Sequence, residues 1–484
     1  MTSHLPETEG LELLSVDVWQ QVRERLQAIE FAAQCIKNVQ LVAVGAYADS
    51  LKRPLLVWHL RRQCKPAAYA VRMFVLRDAI TRDEAEQLFS RPLLDSLFAA
   101  GMLIRPGPDM VLSAFDLRVF RGLLILCDDL AHRGEAVYGA GYGTRAFCDL
   151  SSRRSAVRRA LDVGCGAGAV ALWSCSYAQH VVATDINPRA LAFVKLNAAL
   201  NGISNIEVRE GSLFDAVGDE KFDLITSQLP YVPRAPGLRH ATYLFGGPIG
   251  NELVTRLLQE IPHRLRPQGR SMVVFEHPVR ARAGDVGDVV APDLDPADTR
   301  MLFIVGKEVD AATYSLRHAA PELRCGIEAF DTAVTSMREH LHAVGIRGLC
   351  PAIAVIERAQ GSRGWTATLR AGNDLWNDIS AEMVERLLAA QILLRAPTDG
   401  LRHARIRIPD GSLLVRALTK AAQAEDKIYL GLPPEHLLSS LELSQHEWTV
   451  FEGGGDDGSL GQLPKDLVAK AAHAGLIEEQ PTHG

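Results

Sequence analysis

The chain has 484 residues, of which 47% are hydrophobic, 23% charged and 6% aromatic, and its formal net charge is −6. At about 150 residues per domain this length predicts roughly three domains, and the composition excludes a disordered, collagen-like or disulfide-scaffold protein. A protein that coats nucleic acid would be basic overall, so a polyanionic partner would require a local basic patch.

The sequence also bears on location and on metal binding. No apolar run reaches the ~18 residues needed to span a membrane, and the first ten residues, MTSHLPETEG, contain no apolar signal region. The eight cysteines form no CxxC pair. We therefore expect buried, reduced cysteines in a cytoplasmic protein without a membrane partner. His340 and His342 would diverge on a helix, and we expect no metal site.

Residues 1–133 are predicted to form an N-terminal helical, winged-helix-like domain. Thr81 and Glu84 form a capping box that opens one helix, and Pro92 suits the first turn of a second helix. Two short strands follow on either side of a Pro-Gly-Pro turn at 106–108. The second helix is apolar and lacks a basic recognition face, so the pattern favours a structural or dimerisation role over DNA binding.

Residues 134–360 are predicted to form a Rossmann-like α/β domain, because short apolar runs alternate with helical patterns. The predicted strands are Ala160–Val163, His180–Thr184, Ile206–Arg209, Phe222–Thr226, Ser271–Phe275, Met301–Val305 and Pro351–Glu357. The predicted helices are Ala169–Cys175, Pro188–Asn201, Asn251–Leu265 and Arg338–Ala343. An acidic, proline-rich segment at 283–298 is expected to be an exposed excursion from this alternation.

Residues 361–484 are predicted to form a C-terminal α+β accessory domain. A small, polar run at 359–364 indicates a linker before it. Helices are predicted at 381–390, 413–424 and 463–474. No motif in this region can be connected with chemistry.

A glycine-rich turn carries the clearest functional signal. Asp162 ends a predicted strand, and Gly164, Gly166 and Gly168 lead from it into a helix. Glycines allow a ligand to approach the backbone closely in such a turn. About 20 residues further on, Asp185 ends the next strand, where a carboxylate can accept hydrogen bonds from two ribose hydroxyls.

This pattern is compatible with a dinucleotide or with S-adenosylmethionine. A dinucleotide site would have the spacing G-x-G-x-x-G, with its first glycine directly after the strand. Here an acidic residue precedes the glycines, and the spacing is G-C-G-A-G. A carboxylate attracts a cationic cofactor. The sequence therefore favours S-adenosylmethionine.

With these motifs, the middle region resembles a class I S-adenosylmethionine-dependent methyltransferase. It is most similar to the small-domain group that includes release-factor glutamine methyltransferases and N-methyltransferases of nucleic-acid bases. Those families carry Asn/Asp-Pro-Pro-Tyr/Phe after the fourth strand of a seven-stranded sheet. The matching tetrapeptide here is Gln228-Leu229-Pro230-Tyr231.

The resemblance implies a role for each part of this tetrapeptide. An amide or ring-attached nitrogen is a poor nucleophile, because its lone pair is delocalised. Carbonyl groups at Gln228 and Leu229 would accept its N–H bonds and orient the lone pair, and Tyr231 would stack on the planar acceptor. The sequence departs from the family pattern, since Gln is longer than Asn and Leu229 lacks the φ restraint of proline. A displacement of ~1 Å can cost about 100-fold in rate.

The resemblance implies further site residues. For the cofactor these are Cys165 and Ile186 beside the residues already named, and Ser212, Leu213 and Phe214 near the adenine. Tyr142 lies in a glycine-rich segment that would close over the methionine end. Arg234 and Arg239 follow the tetrapeptide, on the substrate side in this fold, and could bind a carboxylate or phosphate.

The identity of the acceptor stays open at this level. Two substantial flanking regions favour a peptide or protein acceptor, while a nucleic-acid base or a biosynthetic small molecule remains an alternative. The flanks would equally serve a homodimer. A different class of function, a non-catalytic cofactor-binding scaffold or sensor, is also open, because fold alone does not fix function.

Overall fold

The computed structural model describes a defined part of the chain. It comprises residues 5–31, 48–129, 134–151, 157–238, 241–280, 298–359, 364–371, 375, 379–395, 404–406, 412–417, 427–432, 436, 438, 440–453 and 463–479. The chain groups into two units. The first contains Met1–Arg145, Arg153–Pro230 and Gly237–Phe245, and the second contains Ala146–Ser152, Tyr231–Pro236 and Gly246–Gly484.

The first unit begins with helices and short antiparallel strands. The helices are α1 (Glu9–Glu12), α2 (Val16–Ala28), α3 (Ala48–Leu60), α4 (Pro66–Phe74), α5 (Arg82–Leu88) and α6 (Arg91–Ala99). The strands are β1 (Ile80–Thr81), β2 (Leu103–Ile104), β3 (Met110–Ser113), β4 (Asp116–Phe120) and β5 (Leu123–Cys127). Both halves of the predicted capping box form, because Thr81 accepts from the Glu84 backbone and Glu84 accepts from the Thr81 backbone. The winged-helix assignment itself stays a prediction.

The rest of the first unit is a parallel sheet with its connecting helices. After α7 (Tyr142–Ser151), which starts in this unit and ends in the second, come β6 (Val157–Val163), α8 (Ala169–Ser174), β7 (Ala178–Asp185), α9 (Pro188–Asn201), β8 (Ile206–Glu210) and β9 (Phe222–Ser227). The strand order is β9-β6-β7-β8, and each neighbouring pair is parallel. Parallel strands need crossover connections, and α8 and α9 provide two of them. The predicted α/β class is confirmed.

The second unit contains a mixed sheet and the C-terminal region. Its elements are β10 (Val232–Pro233), β11 (Phe245–Gly247), α10 (Glu252–Arg264), β12 (Leu265–Arg280), β13 (Thr299–Val305), β14 (Val309–Asp310), α11 (Ala311–Ala319), a 3₁₀ helix (Ala320–Cys325), α12 (Ile327–Ala343), β15 (Ile346–Arg358), β16 (Trp365–Arg370), α13 (Ala381–Leu394), β17 (Ala404–Ile406), β18 (Leu413–Ala417), β19 (Lys427–Gly431), β20 (Ser440–Ser444), α14 (Gln445–Gly453), α15 (Lys465–His473) and β21 (Ile477–Glu479). The main strands follow the order β16-β13-β15-β12. Only the β13–β16 pair among these is parallel.

Two sequence expectations are wrong. The helix predicted from residue 413 is instead strand β18, which pairs antiparallel with β19, because the ladder partner supplies the backbone hydrogen bonds that a helix would otherwise form internally. The cysteines are not all buried, since Cys64 and Cys325 are exposed. Most of the acidic segment at 283–298 and of the linker at 359–364 lies outside the described residues. Within the described chain, no helix is both long and apolar enough to cross a membrane.

Candidate active site

In the glycine turn after β6, two glycines lie so close to neighbouring side chains that a Cβ would not fit. Gly164, Gly166 and Gly168 have φ values of 72°, 53° and 83°, in the left-handed region that favours glycine. A Cβ at Gly164 would lie 2.6 Å from Cδ2 of Leu229, and a Cβ at Gly168 would lie 2.9 Å from Cγ2 of Val194. Any side chain at either position would therefore displace its neighbour.

Asp185 connects three loops at the carboxyl ends of the parallel strands. Its Oδ2 accepts a hydrogen bond from the Gly166 N–H at 2.9 Å, and its Oδ1 accepts from the Asn187 N–H at 2.9 Å. Its main-chain carbonyl accepts from the Gly211 N–H at 3.1 Å. Burial raises the pKa of this carboxyl group. The loops after β6, β7 and β8 are thus fixed to one residue, at the sheet edge where ligands bind in such folds.

Asp162 lies near the end of β6, two residues before Gly164. Its side chain is 3% exposed, and its Oδ1 accepts a hydrogen bond from Oγ1 of Thr226 at 2.8 Å. Burial raises the pKa of Asp162 to about 7. Near neutral pH this carboxyl group therefore exchanges between its neutral and ionised forms, and a nearby cation would favour the ionised form.

The start of the predicted acceptor motif packs on the cofactor turn. Ser227 donates a hydrogen bond from Oγ to the Val163 carbonyl at 2.8 Å, which joins the ends of β9 and β6. The Leu229 side chain is 7% exposed and packs on Gly164. Nε2 of Gln228 lies 3.7 Å from the position that a Cβ would take at Gly143. Contacts within the first unit thus bring Gln228, Leu229 and the glycine turn together.

The other predicted cofactor residues are placed as follows. Cys165 is 9% exposed and its N–H donates to the Thr184 carbonyl. Ile186 is 61% exposed directly after Asp185. Leu213 has a φ of 50°, a conformation that costs a non-glycine residue about 1–2 kcal/mol. Its neighbour Phe214 is 2% exposed and packs inside the protein, whereas Ser212 is half-buried.

The remaining predicted residues are placed as follows. Pro230 is the last residue of its segment in the first unit, and Tyr231 belongs to the second unit. There the Tyr231 carbonyl lies 2.4 Å from the position of a Cβ on Gly250, which has a φ of 94°. Arg234 is exposed and its N–H donates to the Gly247 carbonyl. Tyr142 begins α7, and Arg239 lies outside the described residues.

Sequence reasoning missed the groups that support the glycine turn from behind. Nδ2 of Asn197, on α9, donates to the carbonyls of Ala167 and Leu126 at 2.9 Å each, and its Oδ1 accepts from the Leu126 N–H at 2.8 Å. Asn201, one turn later, accepts the Leu124 N–H at Oδ1 and donates from Nδ2 to the Leu124 carbonyl. Two asparagines four residues apart, and so on one face of a mostly apolar helix, are the signal that could have revealed them, because buried amides require partners.

Tyr138 begins the glycine-rich segment that is predicted to close over the methionine end, but its contacts are not visible in the sequence. Its carbonyl accepts a hydrogen bond from the Ala167 N–H at 3.2 Å, inside the glycine turn. Its ring stacks on that of Tyr243, with centroids 6.0 Å apart and an interplanar angle of 22°. These two tyrosines are 105 positions apart, and no local pattern relates them.

Comparison with known proteins agrees with this geometry. Residues 140–284 match the family model described as the methyltransferase small domain. The predicted resemblance is confirmed. A release factor glutamine methyltransferase of Xylella fastidiosa is 32% identical over 166 residues, covering 31% of this chain and 60% of that protein. A putative protein N5-glutamine methyltransferase of Methanocaldococcus jannaschii is 36% identical over 115 residues, covering 22% and 57%.

Among solved structures, a ribosomal protein L11 methylase from Lactobacillus delbrueckii subsp. bulgaricus has 22% identity and a TM-score of 0.23, covering 31% of this chain and 76% of that one. The chain spans about half the length of the curated relatives it matches.

The described residues include no group of three or more His, Cys, Asp or Glu side chains that could hold a metal ion.

Proposed function

We propose that this protein is an S-adenosylmethionine-dependent methyltransferase that methylates a nitrogen of a peptide or protein acceptor, through an amide or a related amine. The observation that carries the proposal is the packing of Leu229, from the acceptor motif, on Gly164 of the glycine turn. Residues 140–284 match the model of the methyltransferase small domain. Within this region the contact joins the proposed cofactor site to the proposed acceptor site, and methyl transfer requires both.

The residues of the first unit fit the proposed cofactor. The carboxylates of Asp162 and Asp185 suit a cation, and the glycine turn leaves its backbone open to close approach. Exposed Ile186 offers an apolar surface for a base. When bound, S-adenosylmethionine would supply an electrophilic methyl group on a sulfonium, so the enzyme needs no covalent intermediate. We also propose cofactor contacts for Gly168, Cys165, Ser212, Leu213 and Phe214.

Gln228 has the central role on the acceptor side of this proposal. Its side-chain carbonyl would accept an N–H of the acceptor and orient the nitrogen lone pair, while Tyr231 would stack on the planar group. The burial of Leu229 on Gly164 supports a fixed loop despite the missing proline. Orientation and proximity are then the main catalytic contribution. Roles for Arg234, Arg239 and Tyr142 in binding the substrate are part of the same proposal.

The names of the relatives support a protein acceptor and a cytoplasmic location, since they refer to a release factor and to a ribosomal protein. We also propose that the protein forms a homodimer and that it has three domains, at 1–133, 134–360 and 361–484. Sedimentation analysis tests the homodimer. Limited proteolysis tests the domain limits, and cleavage is expected near residues 133 and 360.

Calorimetric titration with S-adenosylmethionine and S-adenosylhomocysteine tests the cofactor assignment. We expect saturable binding of both, and a loss of at least tenfold in affinity in Asp185→Ala, because the glycine turn loses its anchor. Asp95→Ala, at an exposed position of α6, is the matched control and should bind like the natural protein. Absence of binding to the natural protein would refute the proposal.

A further inference from the structure

Two side chains of helix α12 donate hydrogen bonds to loops that follow the predicted acceptor motif. Oγ of Ser336 donates to the Pro236 carbonyl at 2.7 Å. Nε2 of His340 lies 2.6 Å from the Pro248 carbonyl oxygen, and because a carbonyl oxygen only accepts, this nitrogen carries the hydrogen. The two donors are four positions apart, so they lie on one face of α12.

The residues that these donors reach belong to two segments of the second unit, 231–236 and 246–250, which we name the paired loops. The Arg234 N–H of the first loop donates to the Gly247 carbonyl of the second at 2.9 Å. The strands involved are short, since β10 has two residues and β11 has three. A two-stranded ribbon has little stability of its own, so the order of the paired loops depends on contacts with neighbouring elements.

Helix α10 supports the second of the paired loops as well. Oε1 of Glu252 accepts the Ile249 N–H at 2.9 Å. A Cβ on Gly247 would lie 2.5 Å from Oε2 of the same carboxyl group. Glu252 thus bonds to the second loop, whereas α12 bonds to both. We therefore expect the first loop to depend most strongly on α12.

We propose that Ser336 and His340 are positioning residues, which hold the first of the paired loops in the conformation that binds the acceptor. The inference deepens the proposed function and rests on it, because Tyr231 and Arg234 of this loop are the residues there proposed to contact the acceptor. Ser336 and His340 act through the loop and need not touch the acceptor themselves.

A loop that is ordered in advance binds a ligand more tightly than one that must be ordered on binding. The apparent dissociation constant equals the intrinsic value divided by the fraction of protein in the binding-competent state. Water competes with hydrogen bonds at the surface, and we expect each of these two to change that fraction by about threefold. Because saturating acceptor restores the ordered loop, the loss should appear in KM and leave kcat nearly unchanged.

Helix α12 supplies matched variants for both donors. His340→Leu removes the donor, whereas His340→Gln retains an N–H at a similar distance from the backbone. His342, two residues later, is exposed, and His342→Leu is the control. Ser336→Ala removes the hydroxyl. Its control is Thr332→Ala, because Thr332 donates to the Glu328 carbonyl at 2.8 Å within the same helix.

The first measurement is hydrogen–deuterium exchange of the full chain without ligand, which reports the order of the loop independently of methyl transfer. We expect the Arg234 N–H to exchange at least threefold faster in His340→Leu and in Ser336→Ala, and about tenfold faster in the double variant. His340→Gln and the two control variants should exchange like the natural protein. Thermal unfolding shows whether each variant is folded, and the single variants provide the test if the double variant is not.

The second measurement is transfer of radiolabelled methyl groups from saturating S-adenosylmethionine to lysate protein, over a series of lysate concentrations. The half-saturating concentration should rise at least threefold in His340→Leu and in Ser336→Ala, while the maximal rate and the cofactor affinity stay within twofold. His340→Gln should restore the natural value. General destabilisation would instead lower the maximal rate and the cofactor affinity.

Unchanged exchange of the Arg234 N–H in folded His340→Leu and Ser336→Ala overturns the inference. So does faster exchange with an unchanged half-saturating concentration, or an equal effect of His340→Leu and His340→Gln. Failure of the proposed function gives a different result, since the natural protein then labels no protein at any lysate concentration. That result removes the role of the loop together with the reaction, whereas normal labelling with an unchanged half-saturating concentration refutes the positioning role alone.

Discussion

Residues 116–129 and helix α13 contact the region 140–284 through different chemistry. In the first unit, the β4–β5 hairpin is joined to α9 by the amides of Asn197 and Asn201, and Asp128 accepts a bidentate pair from Arg189 at 2.8 and 2.6 Å. In the second unit, Arg270 of β12 lies between Glu357 of β15 and Glu385 of α13. The first region is held by amide hydrogen bonds together with one buried ion pair, and the second by an ion-pair cluster.

The difference matters because only the first set reaches the glycine turn. Asn197 bonds both to the hairpin and to the Ala167 carbonyl. Changes in the N-terminal hairpin should therefore alter cofactor affinity as well as stability. Changes around Arg270 should alter stability alone. The predictions below begin with those that test this division.

The largest effect is expected from Asn197→Ala. It leaves the Leu126 N–H and the carbonyls of Leu126 and Ala167 without their partner in a fully buried position. At 1–3 kcal/mol for each buried unsatisfied group, unfolding should become easier by about 4 kcal/mol. We also expect at least a tenfold loss in S-adenosylmethionine affinity, measured by calorimetry below the unfolding temperature.

Asn205→Ala is the matched control for that change. Asn205 also donates two amide hydrogen bonds, to the carbonyls of Cys175 and Ala178 at 3.1 and 3.0 Å, but neither acceptor is in the glycine turn. It should lower stability and leave the affinity within twofold. Equal affinity losses in both variants would contradict the proposed coupling.

Arg270→Met should give the next largest effect. Arg270 is 7% exposed, and its removal leaves Glu357 with an uncompensated charge. Breaking a buried ion pair costs about 3 kcal/mol or more. Denaturant unfolding measures this loss, while S-adenosylmethionine affinity should stay within twofold. Arg358→Met is the control, because the pair of Arg358 with Asp298 is more exposed and is worth less than about 1 kcal/mol. A large change in S-adenosylmethionine affinity in Arg270→Met would contradict the division.

Asp162 should make cofactor binding depend on pH. With its pKa at about 7 in the free protein, the group is protonated below that value and must lose its proton to pair with a cation. Affinity for S-adenosylmethionine should therefore rise with pH up to about 7, by at most about tenfold per unit, and level off above it. Asp162→Asn should flatten this profile. An unchanged profile in the variant would show that another group titrates.

The raised pKa of Asp162 should also make folding stability fall with pH, whereas cofactor affinity rises. The folded-state pKa of Asp162 is raised above the unfolded value, so the folded protein holds the proton more tightly. Its contribution to stability is therefore lost as pH rises from about 4 to 7. The ligand-free protein should show this component, and Asp162→Asn should lack it.

The smallest effect is expected at His473 in the C-terminal region. Its Nε2 accepts the Arg370 N–H at 3.1 Å, and burial lowers the pKa of the imidazole. A lowered pKa means that stability is lost as pH falls below the unfolded value of about 6.5. Thermal unfolding from pH 7 to 5 should reveal this loss, and His473→Gln, which retains an acceptor, should reduce it. Cofactor affinity should not follow the titration of His473.

The sequence predicts local features well and distant contacts poorly. Helix α9 has its predicted limits, because Asn187 caps it, Pro188 begins it and Gly202 ends it, all local signals. The glycine turn and Asp185 were equally visible. The contact of Leu229 with Gly164, the Tyr138–Tyr243 stack and the double role of Asn197 depend on chain segments far apart in sequence. Strand β18 was mistaken for a helix because short apolar runs suit either structure until their partners are known.

The central claim is that Gln228 orients an acceptor nitrogen for methyl transfer from a cofactor held by the first unit. The most direct measurement is transfer of radiolabelled methyl groups from saturating S-adenosylmethionine into the protein fraction of a cell lysate, by the natural protein and by Gln228→Ala. We predict labelling of protein, about 100-fold slower in the variant, with cofactor affinity within twofold. Cofactor binding without label in any fraction, or equal labelling by both proteins, would contradict the claim.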